Sequence, residues 1–398
     1  MIRTNYHCCE DNMIKTELPL LQLRHRQLLP IIQGGMGVGI SAHSLAGAVA
    51  REGAIGTIAS VGLAIHHPDL YAKTQRCKDR SIIDQANLEA LDREIVAARS
   101  LAAGQGMIAV NVMKAVDRYP EHARQACESG ADAIIMGAGL PFDMPDLIKG
   151  YEDKVALIPI LSEERGVRAV LKRWMRKGIL PDAIVLEHPR YAGGHLGAPN
   201  PQDINNPRFD FKRILVEIVN VFESLKIDPI PLIPAGGINS LERIKEVFAM
   251  GASAVQIGTP FAVTREGDAH INFKNILLKA KPEDIVTFMS TAGLPARAVL
   301  TPWLKKYLQR EEKARERATP ERAKCAIWAE CLTHCGLKDG TPEAGQFCIL
   351  TQLEQAVIGN VERGLFFRGS EALPFGEEMR SVHETLTYLL SGQMPKLA

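Results

Sequence analysis

The residues most suited to chemistry in this chain are a histidine set among glycines, three glycine-rich junctions and a cluster of four cysteines. The histidine lies in Glu187-His188-Pro189-Arg190-Tyr191-Ala192-Gly193-Gly194-His195-Leu196-Gly197, where glycines stand on its N-terminal side and close by on the other. Such a setting is a poor packing environment. An imidazole titrates near neutrality, so it can take a proton from a carbon made acidic by a neighbouring carbonyl or nitro group. The bland alternative for His195 is a loop histidine bonded to a carbonyl. His188 is open between supporting a site and being a satisfied structural residue. His43, His66, His67 and His270 carry no functional expectation.

The glycine junctions are Gln33-Gly34-Gly35-Met36-Gly37, Pro234-Ala235-Gly236-Gly237-Ile238 and Gln256-Ile257-Gly258-Thr259. Backbone N–H groups reach phosphate oxygens most closely where no Cβ intervenes. Thr259 adds a hydroxyl donor, and the N-terminus of a following helix favours an anion. Any single Gly-Gly pair is as well explained by a tight turn. Two of them at adjacent strand ends point to a phosphate cradle made by Gly236, Gly237, Gly258 and Thr259.

Cys325, Cys331, Cys335 and Cys348 follow the spacing C-x5-C-x3-C-x12-C. Four thiolates this close in sequence can surround an iron–sulfur cluster or a structural zinc, but the spacing is that of neither a zinc ribbon nor a common ferredoxin. Buried unligated thiols and a redox disulfide stay open beside metal binding. Cys331 and Cys335, four residues apart, would share one face if they lay on a helix. Cys8, Cys9, Cys77 and Cys127 are scattered and read as free thiols.

These groups need a frame. Short apolar runs alternate with amphipathic stretches, the pattern of βαβ units. Eight candidate strands cover 29–33, 54–59, 107–112, 133–136, 155–161, 183–187, 230–234 and 254–257. Their near-continuous hydrophobicity suits strands buried on both faces. Helical stretches at 42–51, 120–129, 163–177, 211–225 and 240–250 separate them. Eight units predict an α/β fold, a closed (β/α)8 TIM barrel, with a doubly wound open sheet as the alternative. In such barrels active sites form at the C-terminal strand ends, and phosphate sits after the last two strands, where the glycine junctions fall. The expected division is an N-terminal extension over 1–28, a barrel over 29–262 and a helical cap with the cysteines over 263–398.

Composition sets outer limits. Of 398 residues, 46% are hydrophobic and 23% charged, with a net charge of +1, so no global field favours nucleic acid or an anionic membrane. No apolar run is long enough for a membrane span, and the first seventeen residues lack a signal-peptide core. The expectation is a cytoplasmic protein, where cysteines serve as thiols, ligands or redox groups before disulfides. Between 303 and 324, eight Lys or Arg face four Glu. An acidic carrier protein could dock there, although a solvated helix face explains it too.

Five segments together resemble the nitronate monooxygenase (2-nitropropane dioxygenase) superfamily, which includes flavin-dependent enoyl-ACP reductases of the FabK type. They are Pro30 to Met36, Val110-Asn111-Val112, Ala192 to Gly197, Pro234 to Ile238, and Gly251 to Thr259. The resemblance implies FMN as cofactor. It places Gly34, Gly35 and Met36 along the flavin, Asn111 and Gly194 against its ring, and Gly236, Gly237, Gln256, Gly258 and Thr259 at its phosphate end. His195 becomes the catalytic base. The family usually has Gln or Glu seven residues before this histidine and an acidic residue four before; here those places hold His188 and Tyr191. Glu187, one residue earlier, is the remaining carboxyl that could contact the flavin.

Thr291 to Arg297 and Cys331 to Gly340 further resemble the FabX branch, which couples acyl-ACP dehydrogenation to double-bond isomerisation in unsaturated fatty acid synthesis. That likeness implies a [4Fe–4S] cluster on Cys325, Cys331, Cys335 and Cys348, acyl carrier protein as partner, trans-2 and cis-3 enoyl products, and oxygen or an electron carrier as acceptor. Nitronate oxidation, NAD(P)H-dependent enoyl-ACP reduction and a non-catalytic flavin/iron–sulfur redox sensor are the alternatives. Nothing supports a nucleic-acid role, and the sequence leaves a homodimer open.

Overall fold

The computed structural model describes residues 14–75, 77, 79–319, 325 and 331–396. Cys8 and Cys9, expected as free thiols, and the basic residues Arg322 and Lys324 lie outside that set. The chain enters through a hairpin of β1 (Leu21–Leu23) and β2 (Arg26–Leu28). Leu21, Leu23 and Leu28 bury themselves with Ile32, Ile55, Ile158 and Ile233, so the hairpin plugs one mouth of the sheet that follows.

That sheet is a closed barrel. Its strands are β3 (Ile31–Gln33), β4 (Ile55–Ala59), β5 (Met107–Met113), β6 (Ala133–Gly137), β7 (Ala156–Leu161), β8 (Ile184–Glu187), β10 (Leu232–Ala235) and β11 (Val255–Ile257). All eight expected strands form, shifted at their ends by up to two residues. Every neighbouring pair is parallel, and β11 returns to β3 with Gln256 opposite Ile32. The uninterrupted apolar runs follow from burial on two sides. Ile32, Ile55, Ala109, Ile135 and Val185 point into the barrel, while Ile31, Ile58, Val110, Ile134 and Leu186 meet the helices.

The region after Ala262, expected to be helical, is not helical throughout. The short strand β9 (Gly194–His195) is the edge of a three-stranded antiparallel sheet completed by β12 (Ile285–Met289) and β13 (Pro295–Val299). Ala296 pairs with His195 and Arg297 with Gly194. The correction has a local cause: Ser290 and Leu294 close the hairpin through Ser290 N–H donating to Leu294 O (2.9 Å), with Gly293 at φ +71 between them. β-branched Ile285, Val286 and Thr287 favour the extended state before that turn.

The last helix also has a different place from a cap. Val382–Ser391, opened by a Ser381/Glu384 capping box, buries Val382, Leu386, Leu389 and Leu390 in the layer between the barrel and its helices. It touches the helices His43–Arg51 and Leu241–Ala249. After β11 the chain has only the four-residue helix Thr259–Ala262 before it leaves the barrel, so the C-terminal helix fills the eighth outer position. Among the described residues, no helix is long and apolar enough to cross a membrane.

Candidate active site

Two connected chambers lie at the C-terminal strand ends. The smaller, about 150 Å³, is bordered by Gly236, Gly237, Gln256, Gly258, Thr259 and Gly369. Its wall is mainly backbone. Gly237 has φ +73, and a Cβ there would stand 2.7 Å from Tyr191 Cγ, so both conformation and space demand glycine. Thr259 is the first residue of its helix and accepts from Gly369 N–H (3.1 Å), which leaves its own hydroxyl proton for a ligand. Gln256 Oε1 is buried with no hydrogen-bond partner. Glycine amides and the Thr259 hydroxyl are the donors a phosphate end requires, while the Gln256 oxygen, an acceptor, calls for a hydroxyl or N–H elsewhere on the same ligand.

The larger chamber, about 330 Å³, is lined at its floor by Gly35, Met36, Asn111, Glu187, Gly194 and His195. Gly35 leans directly on Asn111: a Cβ at 35 would fall 2.3 Å from Asn111 Cβ. Glycine 35 and Asn111 therefore define one flat surface at the ends of β3 and β5. Gln33 braces it from beneath, its Oε1 accepting from Thr57 N–H at 2.8 Å. Gly34, Met36 and Gln256 border the smaller chamber as well, so the residues expected along the flavin form a continuous strip. Their arrangement fits FMN: amides and glycines at one end, a broad surface at the other.

His195 is held by the three-stranded sheet. Leu196 N–H donates to Pro295 O (3.0 Å), Phe367 packs edge-on at 5.8 Å, and the imidazole Nε2 is buried with no partner among the described residues. Burial, with no charge nearby to offset it, pushes the His195 pKa down to about 4. The ring is thus neutral at ordinary pH and has a free lone pair or N–H in the chamber. Glu187, at the end of β8, borders both chambers, and burial pushes its carboxyl up to about 7.

His188 has the opposite fate. It is buried, its Nδ1 accepts from Arg190 N–H (3.2 Å), its Nε2 lies 3.3 Å from Asp210, and it packs edge-on against Tyr191 and Phe211. It is a satisfied structural residue. Two arginines absent from the expected set matter here. Arg297 on β13 is buried and donates to the carbonyls of Pro189 and Ala192, clamping the loop that carries His195. Arg368 lines the large chamber and donates to Leu277 O (3.0 Å) and Gly369 O (3.2 Å). Neither stood out as a site residue, because Arg297 acts on carbonyls about a hundred residues away and Arg368 on Leu277 O about ninety away.

All four expected cysteine ligands, Cys325, Cys331, Cys335 and Cys348, border the outer wall of the large chamber. They do not make a metal shell: among the described residues, no three His, Cys, Asp or Glu side chains are grouped to hold an ion. Cys335 Sγ lies 3.2 Å from Thr291 Oγ1, and Cys348 Sγ accepts from Thr351 at 3.3 Å. Burial pushes the Cys331 thiol up to about 11, so it is held protonated. Nor do Cys331 and Cys335 share a helix. Leu332 bridges Val116 in extended form, Thr333 N–H donates to Ala115 O (2.8 Å), and the helix Gly336–Asp339 begins only after Cys335. The shared-helix expectation is corrected, the [4Fe–4S] expectation gains no support from the described residues, and Cys77 and Cys127 are free thiols as expected.

The model of the nitronate monooxygenase family matches residues 20–390. The chain belongs to that family. Among curated relatives, a probable nitronate monooxygenase of Bacillus subtilis is 26% identical over 302 residues, covering 71% of this chain and 79% of the relative. A putative nitronate monooxygenase of Saccharomyces cerevisiae is 32% identical over 123 residues, 29% of this chain and 30% of its own length. Of solved structures, FabK from Thermotoga maritima superposes with a TM-score of 0.64 at 23% identity, covering 93% of both chains. A nitroalkane oxidase from Streptomyces ansochromogenes gives 0.61 at 18% identity, covering 94% of this chain and 96% of that one. Those structural likenesses share the barrel. As a nitronate monooxygenase family member, the chain is an oxidoreductase, and the family's general FMN dependence agrees with the two-chamber strip.

Proposed function

We propose that this protein is an FMN-dependent oxidoreductase acting on acyl thioesters, an acyl-carrier dehydrogenase and isomerase in which His195 moves the protons. The observation that carries the reading is the large chamber itself. Beyond His195 its wall is apolar, formed by Val61, Val116, Leu332, Leu350, Leu353 and Leu365. A compact nitronate needs no such wall, whereas an acyl chain is desolvated by it.

Gly236, Gly237, Gly258 and Thr259 would hold the FMN phosphate, and Gly34, Gly35, Met36, Asn111, Glu187 and Gly194 would border its ring. When bound, FMN supplies the acceptor for a hydride from the acyl Cβ. The neutral His195 Nε2 takes the α-proton, which the thioester carbonyl has acidified, so that proton and hydride together leave a trans-2 double bond. Once that proton has passed to water, the neutral nitrogen can remove a γ-proton and return it to Cα, moving the double bond to the cis-3 position. Nothing in this sequence of steps runs through the cysteines. Oxygen or an electron carrier would reset the enzyme, and the thiol wall fits the acyl tunnel equally well as apolar lining.

A second reading, nitronate oxidation, rests on the family match and needs the same base next to the same surface. Anaerobic mixing of the flavin-loaded protein with an acyl-carrier thioester, a nitronate or NADPH separates the readings. Bleaching of the flavin band by the acyl thioester is expected; bleaching by the nitronate alone would replace the first reading with the second, and bleaching by NADPH alone would make the protein a reductase.

A further inference from the structure

The outer face of the chamber wall carries a cluster of exposed positive charge. Helices Pro302–Leu308 and Glu311–Glu316 expose Lys305, Lys306, Arg310 and Lys313, with Arg317 at the end of the second. Among the described residues none of these five is ion-paired. Several helical arginines elsewhere are tied to acids three or four residues away: Arg93 to Glu89, Arg124 to Glu128, Arg213 to Glu217 and Arg243 to Glu246. Here Glu312 and Glu316 are within sequence reach and are not used. On the second helix and its two caps, Arg310, Lys313 and Arg317 follow at intervals of three and four, which sets like charges side by side at a cost in helix stability. A partner that brings acidic groups recovers that cost.

The location ties the charge to the site. Trp303 and Tyr307 stack on one another and pack edge-on against Phe347, at 5.2 Å and 4.8 Å. Tyr307 Oη accepts from Gln346 N–H at 3.0 Å. The next residues, Cys348, Ile349 and Leu350, line the large chamber. Leu304, Trp303 and Tyr307 share one apolar cluster with chamber residues Val61, Leu353 and Leu365. The cationic helices are thus the outside of the wall whose inside is the apolar chamber.

We propose that this face, centred on Lys306, Arg310 and Lys313, is the docking surface for an acidic carrier domain that feeds its thioester-linked chain into the chamber beside His195. The proposal rests on the acyl-thioester reading. A docked acidic partner is steered by long-range attraction, so its binding weakens with salt and with charge reversal.

The test measures affinity of the FMN-loaded enzyme for unacylated, phosphopantetheine-bearing carrier protein by fluorescence anisotropy, alongside turnover of one acyl chain carried either by that protein or by uncharged N-acetylcysteamine. Lys306→Glu/Arg310→Glu/Lys313→Glu is expected to weaken carrier binding about tenfold and leave N-acetylcysteamine turnover as it was. Wild-type binding should fall similarly between about 0.05 and 0.5 M salt, which reads the same face without any substitution. Carrier affinity that ignores both salt and charge reversal, or a wild-type enzyme that does not bind the carrier, overturns the proposal. Carrier binding through this face with no turnover of either thioester upholds the docking and removes the acyl reading.

Discussion

The two chambers meet at the same strand ends yet are built by different means. The smaller is backbone: glycines at the ends of β10 and β11, one threonine hydroxyl and one orphaned glutamine oxygen. The larger has a barrel floor and walls to which residues after 262 contribute leucines, thiols and Phe367, with Val61 and Val116 added from the barrel loops. A backbone cradle recognises one ligand group and tolerates little change. A side-chain wall can be reshaped residue by residue without touching the cradle. On the proposed reading, the cofactor end would depend mainly on the barrel glycines and substrate choice mainly on the side chains of the wall.

The largest effect should come from the single imidazole where the two meet. His195→Ala is expected to lower turnover by about 10²- to 10⁴-fold while the purified protein keeps its yellow flavin. Normal turnover in that variant would remove the proton-handling role. The cradle is next. Gly237→Leu adds a side chain at φ +73 into Tyr191, and Gly35→Val drives a Cβ into Asn111. Each should cost about 1–3 kcal/mol of local strain and leave most of the protein flavin-free, read from the ratio of absorbance at the flavin band to that of protein.

The wall should respond without loss of flavin. Leu350→Trp narrows the chamber from the cap side and is expected to raise KM for long acyl thioesters about tenfold while sparing short ones. A uniform fall for all chain lengths, with flavin lost, would show that the two chambers are not separable. Arg297 tests the junction from behind. Its guanidinium holds the carbonyls of Pro189 and Ala192, so Arg297→Met should lower kcat about tenfold with flavin retained, and Arg297→Lys should recover part of it.

The same contrast governs what was legible in the sequence. Each barrel strand is a local apolar run, and the glycine junctions are local too, so the fold and the cradle could be read directly. His195 stood out by its neighbours. The hairpin of β12 and β13 could not be recognised as part of the site, because its partner β9 is two residues long and about a hundred residues away. The alternation in Ala296-Arg297-Ala298 and the Gly293 turn were the available signals. Arg297 and Arg368 act on backbone carbonyls distant in sequence that no spacing encodes. The cysteine spacing suggested a shared helix face, but extended backbone through Leu332 keeps Cys331 and Cys335 off a common helix.

Glu187 and His195 offer the finest test, since burial shifts them in opposite directions. The folded-state pKa of His195 is lowered from 6.5 to about 4, so between those values the unfolded chain takes a proton that the folded chain refuses. That contribution makes the flavin-free protein less stable as pH falls from about 6.5 to about 4. The carboxyl of Glu187 is raised from 4.5 to about 7, so the folded chain keeps a proton that the unfolded chain has released. Its contribution makes the protein less stable as pH rises from about 4.5 to about 7. Glu187→Gln removes the second slope and leaves the first. The Tm of this variant minus that of the wild type should therefore climb steadily from pH 4.5 to 7 and then level. A difference that stays flat across that interval would mean the carboxyl is solvated as an ordinary glutamate, and the floor of the large chamber would then be wetter than its lining suggests.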